Sequence, residues 1–504
     1  MINEALYDKT NPESIEKYAK KLIGHTFNDV LKKFETRDDL LFLESTNSEK
    51  KKHSYGSSAR KGGLGNLIEE KYFGYKANSN PHADFEEAGV ELKVTPYEIH
   101  RDKKEKRDKF VAGERLVLTM ISFDQPVIFD FYKSHVWEKS KNILLVYYHR
   151  DRNIINNLDF QIQFVKLFTP PRIDQIIIQQ DYESIVNKIA AGKAHELSEG
   201  DTMYLGACTK GQTAETSLVP QYYNKNILAK RRAFCYKISY MTFVLNQYIV
   251  GEAFETESLI DEENNSLEKG LTFEEVITQK INKYVGKTDK ELCAIFNQEY
   301  DNGKSQWIML AYKMLGIKSG RAEEFLKSNI SVKAIRLEEN GHMVESSPLP
   351  PIKFKELATE TWENSVLFNY FEQTKFLFIV FKKIGEQYIL KGCQLWNMSY
   401  DDLNTEVYDG WNKIKSIITE GVHFKFKTDK KGNTVVENNL PSKSENRIIH
   451  MRPHAQQAYY KLNTGYTKGK VSDGDELPDG QYMTKQSFWI NNSYIVSVLK
   501  DELK

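Results

Sequence analysis

Alternation of apolar and polar residues predicts a series of short strands, and one of them carries an unusual set of charges. From residue 90 to 95 the chain reads VELKVT, in which valine and leucine alternate with Glu91, Lys93 and a threonine. One face of this strand is therefore apolar, and the other bears a carboxylate beside an ammonium. Upstream, Leu64, Leu67, Ile68 and Tyr72 recur at helical spacing and predict a helix that carries Glu69.

The charged residues around this strand suggest a specific chemistry. Asp84 precedes Glu91 by a few residues, so the pattern is an acid, six residues, and then Glu-x-Lys. Two carboxylates and one lysine gathered at a strand end are what holding Mg²⁺ against a phosphate requires. The alternative is a strand whose charged face is simply solvated, and such a triplet also arises by chance in roughly one chain in ten of this length. The choice between a metal site and a solvated strand therefore depends on the rest of the segment.

Further periodic stretches place the other elements. Branched and aromatic residues predict strands at 116–123 and 143–149, and longer patterns predict helices at 173–197 and 227–249. The segment 251–270 is acidic, polar and poor in large apolar residues, so we interpret it as a linker between two domains, 1–250 and 271–504.

Composition narrows the class of protein. The chain has 504 residues, of which 40% are hydrophobic, so two or more cores are expected. The formal net charge is zero, and nucleic-acid binding would therefore depend on local basic patches. Four distant cysteines indicate neither a zinc site nor a disulfide framework. Without an apolar run of membrane length or a signal-peptide core, we expect a soluble cytoplasmic protein that makes no contact with a membrane.

The second half of the chain weakly repeats the first. WEKSKNILLVYYHR, from Trp137, matches FEQTKFLFIVFKKI, from Phe371, and ADFEEAGVELKVT matches EEFLKSNISVKAI. In this alignment Glu324 takes the place of Asp84, Lys333 that of Lys93, and Ser331 that of Glu91. A repeat of domain length indicates duplication of a fold. Because serine lacks the charge of a carboxylate ligand, the second copy is not expected to hold Mg²⁺.

The segments KGGLGNLIE, Asp84 and AGVELKVTP together resemble the active-site region of the MutH family of Mg²⁺-dependent DNA endonucleases. That family includes a mismatch-repair nickase and type II restriction enzymes that cut GATC. The resemblance implies an α/β fold, a mixed sheet with flanking helices, in two tandem restriction-endonuclease-like domains of which the second is degenerate. It also implies that Asp84 and Glu91 bind the metal, that Lys93 is catalytic, and that Glu69 is a supporting acid.

The same resemblance indicates residues that contact DNA. Lys61 is a candidate phosphate or support lysine, and in SHVWEKSKNILLVYY both Lys139 and Lys141 fit the position of a further lysine near the scissile phosphate. In MYLGACTKGQ only Lys210 remains of the family's Arg-Pro-Lys loop that reads bases, because Cys208 and a threonine replace the other two.

The second copy keeps more of the family's reading residues. HMRPHAQQ retains Arg452 and a proline, with His454 in place of the lysine, and FWINNSYI places Trp489 at the base-contacting aromatic position. Arginine suits bidentate contact to guanine. The alternatives are a surface ion pair for Arg452 and a core position for Trp489. The sequence assigns no role to the loop 461–480.

The prediction that follows is a type II restriction endonuclease that makes Mg²⁺-dependent double-strand cuts at GATC, with the C-terminal domain binding DNA as a specificity or effector domain. We expect it to act as a dimer on DNA and to have a cognate methyltransferase as functional partner. Two alternatives are a mismatch-repair nickase, which would not need the second half, and a DNA-binding regulator with a vestigial site. The intact set of acids and lysine in the first half disfavours a regulator.

Overall fold

The computed structural model describes residues 7–33, 55, 62–75, 82–101, 108–211, 217–251, 256–260, 266–301, 303–429 and 432–504. Lys61 lies outside them. Contacts divide the chain into two compact units. Unit 1 is Met1–Ser258, Leu267–Gly270 and Arg321–Asn329, and unit 2 is Leu259–Ser266, Leu271–Gly320 and Ile330–Lys504. Within the described ranges, every helix is too short or too polar to cross a membrane.

Unit 1 combines helices with strands from three sheets, the smallest of which has two strands. Its helices are α1 (Pro12–Ala19), α2 (Phe27–Lys33), α3 (Gly63–Leu67), α4 (His135–Ser140), α5 (Arg172–Ala190), α6 (Ile238–Val244) and α10 (Glu323–Ser328). Its strands are β1 (Glu91–Arg101), β2 (Asp108–Ala112), β3 (Leu116–Met120), β4 (Ile143–His149), β5 (Gln161–Phe168), β6 (Leu205–Thr209), β7 (Leu218–Val219), β8 (Ala229–Lys230) and β9 (Arg232–Tyr236). As its Asn-Pro pair predicts, α1 begins after Asn11, whose side chain accepts hydrogen bonds from two main-chain N–H groups.

The principal sheet of unit 1 has the order β2-β1-β4-β5, and a second sheet has the order β3-β9-β6. Strand β1 runs parallel to β4, and β4 runs antiparallel to β5. The central strand β4 is buried from Ile143 to Tyr147, which explains its continuous apolar sequence. One apolar core packs α1, α2 and α3 against this sheet. The charged residues of β1 lie on the face that is turned away from that core.

Unit 2 is also built from helices and strands. Its helices are α7 (Phe273–Asn282), α8 (Asp289–Ile295), α9 (Lys304–Leu315), α11 (Phe354–Thr359), α12 (Val366–Gln373), α13 (Tyr400–Asp402), α14 (Tyr408–Glu420) and α15 (Asn492–Val498). Its larger strands are β10 (Ile330–Leu337), β11 (Ser347–Pro351), β12 (Lys375–Ile384), β13 (Gln387–Trp396), β14 (Phe424–Thr428), β15 (Thr434–Asn438), β16 (Ile449–Pro453) and β21 (Gln486–Ile490). The short strands β17 (Tyr460–Lys461), β18 (Thr467–Lys468), β19 (Gly474–Glu476) and β20 (Tyr482–Thr484) form a separate sheet.

The sheets of unit 2 repeat the topology of unit 1. Strand β10 runs parallel to β12, which runs antiparallel to β13, as β1, β4 and β5 do. The antiparallel sheet β11-β21-β16 corresponds to β3-β9-β6, with the last strand of each unit in the centre. A helix follows that central strand in both units, α6 in the first and α15 in the second. The expected fold, mixed sheets with flanking helices in tandem, is confirmed.

The segment between the two halves was predicted to be a polar linker, but some of its described residues are buried. Leu259, Ile260 and Leu267 are buried, although the segment around them is polar. Helix α10, which precedes β10 in sequence, packs within unit 1, where Lys327 Nζ lies 2.6 Å from Asp174 Oδ1. The chain thus leaves unit 1 at Asn329 and enters β10 directly.

The helix predicted at 227–249 is wrong in its first half. Residues Ala229–Lys230 and Arg232–Tyr236 form strands β8 and β9, and helix begins only at Ile238. Arg232 is buried and donates to Ala207 O at 2.6 Å, so part of the basic run closes a sheet and is not exposed on a helix. The segment AFCY that follows Arg232 is continuously apolar and buried, as a central strand is, and the apolar residues after it concealed where the strand ends and the helix begins.

Candidate active site

The strand that carries the predicted triplet begins at the candidate site. Glu91 is the first residue of β1 and pairs with Ile143, the first residue of β4. Just before it, Gly89 adopts a left-handed backbone with φ of 62°, which turns the chain into the strand. Glu91 is only 1% exposed. Burial excludes the alternative of a solvated charged face, because a buried carboxylate must be paired.

Two lysines supply the partners of Glu91. Lys93 Nζ lies 2.6 Å from Glu91 Oε1, and Lys139 Nζ lies 3.2 Å from both carboxylate oxygens. Lys139 is itself buried at the end of α4. Lys141 is half-buried and lies beside Gly89 instead. The sequence did not choose between these two lysines, and the geometry brings Lys139 to the carboxylate.

Asp84 reaches the same place from the preceding loop. Its Oδ2 accepts a hydrogen bond from the main-chain N–H of Leu92 at 2.9 Å, which fixes the carboxylate beside β1. Burial and the nearby charge of Glu91 raise the pKa of Asp84 to about 6, and the Leu92 N–H opposes that rise. Two carboxylates are therefore held close enough to repel each other.

Glu69 joins them from a π-helical turn, Ile68–Phe73, which continues α3. Burial and the charge of Asp84 together raise its pKa to about 7, against the lowering effect of Lys93. The structure therefore brings together all four residues predicted to be catalytic, namely Glu69, Asp84, Glu91 and Lys93.

Tyr75 was not identified from the sequence. Its hydroxyl is buried and has no hydrogen-bond partner among the described residues, and its ring packs edge-on against Phe85 at 5.5 Å. Burial raises the pKa of Tyr75, and the charges of Asp84 and Glu69 add to the effect. An aromatic residue just past a helical stripe gives no sequence signal, because the same pattern is typical of core packing.

A second pair at the edge of the site was also missed. His82 Nδ1 lies 2.9 Å from Glu138 Oε1, and this hydrogen bond raises the pKa of His82. The two residues flank the site in sequence, two positions before Asp84 and one before Lys139. They tie the loop that carries the aspartate to helix α4.

The donor set fits a divalent cation. Buried carboxylates that repel each other are stabilised by a positive charge placed between them, and Mg²⁺ commonly takes one or two protein carboxylates with phosphate and water oxygens. Among the described residues, no three His, Cys, Asp or Glu side chains form a complete metal-binding cluster. Asp84 and Glu91 thus offer two carboxylates without forming such a cluster by themselves.

The corresponding position in unit 2 lacks this set. Asn329 has a left-handed φ of 55°, as Gly89 does, and the chain then enters β10 with Ser331 and Lys333 in the places of Glu91 and Lys93. Ser331 lies close to the phenol of Tyr370. Glu324, aligned with Asp84, accepts a hydrogen bond from Ser258 Oγ at 2.7 Å.

The predicted reading residues of unit 2 form a surface pair. Arg452 is exposed on β16, and its guanidinium carbon lies 4.9 Å from the ring centroid of Trp489 on β21. His454 follows, with Nδ1 3.1 Å from Ser487 Oγ. The indole N–H of Trp489 has no acceptor among the described residues. The three side chains therefore lie on one edge of the β16–β21 ladder.

The matching place in unit 1 is different. Cys208 on β6 pairs with Ala233, as Arg452 pairs with Ser487, and both Cys208 and Cys235 are buried thiols. Lys210 lies just beyond β6, half-buried, with its main-chain N–H donating to Arg231 O at 2.8 Å. This surface therefore presents one lysine where unit 2 presents an arginine stacked on an indole.

Comparisons with known proteins agree with this arrangement. The family profile described as DNA mismatch repair enzyme MutH matches residues 73–181, which include Asp84, Glu91, Lys93 and Lys139. The type II restriction enzyme Sau3AI of Staphylococcus aureus is 35% identical over 459 residues, which cover 86% of this chain and 91% of that protein. The DNA mismatch repair protein MutH of Shewanella amazonensis is 30% identical over 190 residues, 37% of this chain and 79% of that protein.

Proposed function

The chain belongs to the MutH-like family of type II restriction enzymes and is a site-specific deoxyribonuclease, and from that premise we propose that it cuts both strands of duplex DNA at GATC with Mg²⁺. One observation carries the chemical part of the proposal. Glu91, buried between Lys93 and Lys139 and close to Asp84, forms a charged site on one strand end. The target sequence comes from the family resemblance.

Each residue then has a defined task. Asp84 and Glu91 would hold Mg²⁺, with Glu69 as supporting acid, and the chemistry supplied there would be polarisation of the scissile phosphate and a lowered pKa of a water. Lys93, 2.6 Å from Glu91, is placed to hold the attacking water or a phosphate oxygen by its remaining N–H groups. Lys139 fixes the second oxygen of Glu91, which keeps that carboxylate in one orientation.

Unit 2 serves as a DNA-binding domain that does not cut. Its strand β10 offers Ser331 where a metal-binding carboxylate is needed, whereas Arg452 and Trp489 give it an exposed surface suited to a base edge. A chain with one complete site cannot make symmetric cuts in a palindrome in one encounter. We therefore propose that two chains act together on DNA in the cytoplasm.

The test is a single incubation of the pure protein with plasmid DNA and Mg²⁺, beside a plasmid methylated at GATC and a sample with EDTA. The expected product is linear DNA with ends at GATC and none in EDTA, while the methylated plasmid establishes how modification affects cutting. Nicked circles that never become linear would favour a nickase of the mismatch-repair kind. Tight binding without any strand break would favour a DNA-binding regulator.

A further inference from the structure

Lys333 is a half-buried lysine that lacks the counter-charge of its equivalent in unit 1. Lys93 lies 2.6 Å from Glu91 Oε1, and Lys139 shares that carboxylate. For Lys333, no carboxylate in the described part of its own unit forms an ion pair, and burial lowers its pKa. The degenerate copy has therefore lost the carboxylate that pairs with Lys93 in unit 1 and retained the lysine.

The position of Lys333 is not that of a surface lysine. It pairs with Phe378 in the parallel ladder of β10 and β12, and it shares a strand face with Ile335 and Leu337, which lie in the apolar core. An ammonium among apolar neighbours loses hydration, and it is stabilised when an anion reaches it. Its position on β10 corresponds to that of Lys93 on β1, since Lys93 lies in the third pair and Lys333 in the fourth pair of the equivalent parallel ladders.

We infer that Lys333 binds a backbone phosphate of duplex DNA directly, without a metal ion. In unit 1 the acids need a divalent cation between themselves and a phosphate, whereas in unit 2 the lysine alone supplies the positive charge. This inference rests on the proposed DNA binding by unit 2 and adds the site of contact. It also explains why loss of the carboxylate at the position of Ser331 is compatible with retention of the lysine.

The experiment uses the full chain in EDTA, so that no strand is cut. Labelled GATC duplex is titrated at several salt concentrations with wild type, Lys333→Gln and Lys333→Met. The control is Lys283→Gln, which removes the same charge from an exposed position at the end of α7. Loss of one phosphate contact should lower the slope of log K against log salt by about 0.9 for the affected binding event. It should also weaken that event about tenfold. Lys283→Gln should match wild type.

A second readout locates the contact. Lysines of the wild-type chain are acylated with and without duplex and mapped by mass spectrometry. The duplex should protect Lys333 and leave Lys283 reactive. Glu91→Gln, which keeps Lys333, should show the same protection.

Equal acylation of Lys333 in both samples, together with a salt slope unchanged in Lys333→Gln and Lys333→Met, would overturn the inference. Lys333 would then be a packing lysine whose stem covers apolar surface. Failure of the proposed function is seen separately, because it is the absence of plasmid cleavage by the wild-type chain in Mg²⁺. Both readouts in EDTA remain interpretable in that case.

Discussion

Strands β1 and β10 occupy the same place in their units, yet they carry different chemistry. Both follow a residue in the left-handed region, Gly89 or Asn329, and both run parallel to the next strand of the sheet. Strand β1 starts with a carboxylate held by two lysines, whereas β10 offers a serine and one lysine. The two units thus share a strand topology although unit 2 lacks the charged residues of unit 1. This is possible because packing of the sheet depends on the apolar face of the strand and not on its charged face.

The surfaces that carry the predicted base-reading residues also differ, and here unit 2 has residues that unit 1 lacks. Unit 2 exposes Arg452 stacked on Trp489, while unit 1 buries Cys208 and Cys235 at the matching places. The unit that carries the acid cluster therefore has buried thiols where the other unit exposes an arginine. This difference is expected if unit 1 cuts DNA and unit 2 recognises its sequence.

The largest expected effect tests the cutting half of this comparison. Asp84→Ala, Glu91→Ala and Lys93→Ala should each lower cleavage roughly 10³-fold or more, since each removes a charge at the metal or the water. DNA binding should persist, because none of the three acts on base edges. Rates are measured on plasmid in Mg²⁺ and binding is measured in EDTA.

Two controls guard this result. Glu87→Ala removes an exposed acid near the site and should cut normally. Glu91→Gln keeps the shape of the buried side chain, because alanine leaves two buried ammonium groups unpaired and lowers stability. Near-normal cutting by Glu91→Gln would refute the metal assignment.

The candidate catalytic residues could be identified from the sequence because they lie close together along the chain. Asp84, Glu91 and Lys93 lie within ten residues, so alternation along one strand brings them together. Tyr75 and the choice of Lys139 could not be predicted, since both depend on how a loop and helix α4 fold back to place these side chains beside the acids. The prediction of a helix at 227–249 failed for a related reason. The pairing of Arg232 with Thr209 in a sheet determines the structure there, and the local hydrophobic pattern does not show that pairing.

The second prediction is that DNA binding by unit 2 increases the rate of cleavage by unit 1. If two chains act together and unit 2 binds a second site, a plasmid with two GATC sites should be cut about 5- to 150-fold faster than a plasmid with one, the range typical of coupling between sites. A short GATC duplex added in trans should rescue the one-site plasmid, and a scrambled duplex should not. Rates independent of site number, with nicked DNA accumulating, would mean sequential nicking by one chain.

The third prediction concerns the exposed pair of unit 2. Arg452→Ala should reduce the preference for a GATC duplex over a scrambled duplex by about tenfold, a value within the ~1–3 kcal/mol of one bidentate base contact. Binding to the scrambled duplex at low salt should change little, because phosphate contacts position and base contacts specify. Lys425→Ala, which removes an exposed charge from β14, is the control. Equal loss on both duplexes would make Arg452 a phosphate contact.

The smallest effect is a pH dependence that arises from the acid cluster of unit 1. Burial raises the pKa of Asp84 to about 6 and that of Glu69 to about 7. An acid whose pKa is raised on folding stabilises the fold while it is protonated, so this contribution is present below about pH 4 and is lost as pH rises to about 7. In EDTA, Glu69→Gln should therefore be more stable relative to wild type at pH 7.5 than at pH 5.

The measurement is thermal unfolding of both proteins across this range. A contribution of 1 kcal/mol shifts Tm by about 2–4 °C in a unit of this size, so the difference should be a few degrees. Mg²⁺ should raise the Tm of wild type at pH 7.5 more than at pH 5, because only ionised carboxylates hold it. Glu86→Gln, an exposed acid, should show neither effect. If the Tm of Glu69→Gln and that of wild type change with pH in parallel, Glu69 does not interact electrostatically with the other acids. The acid cluster would then consist of Asp84 and Glu91.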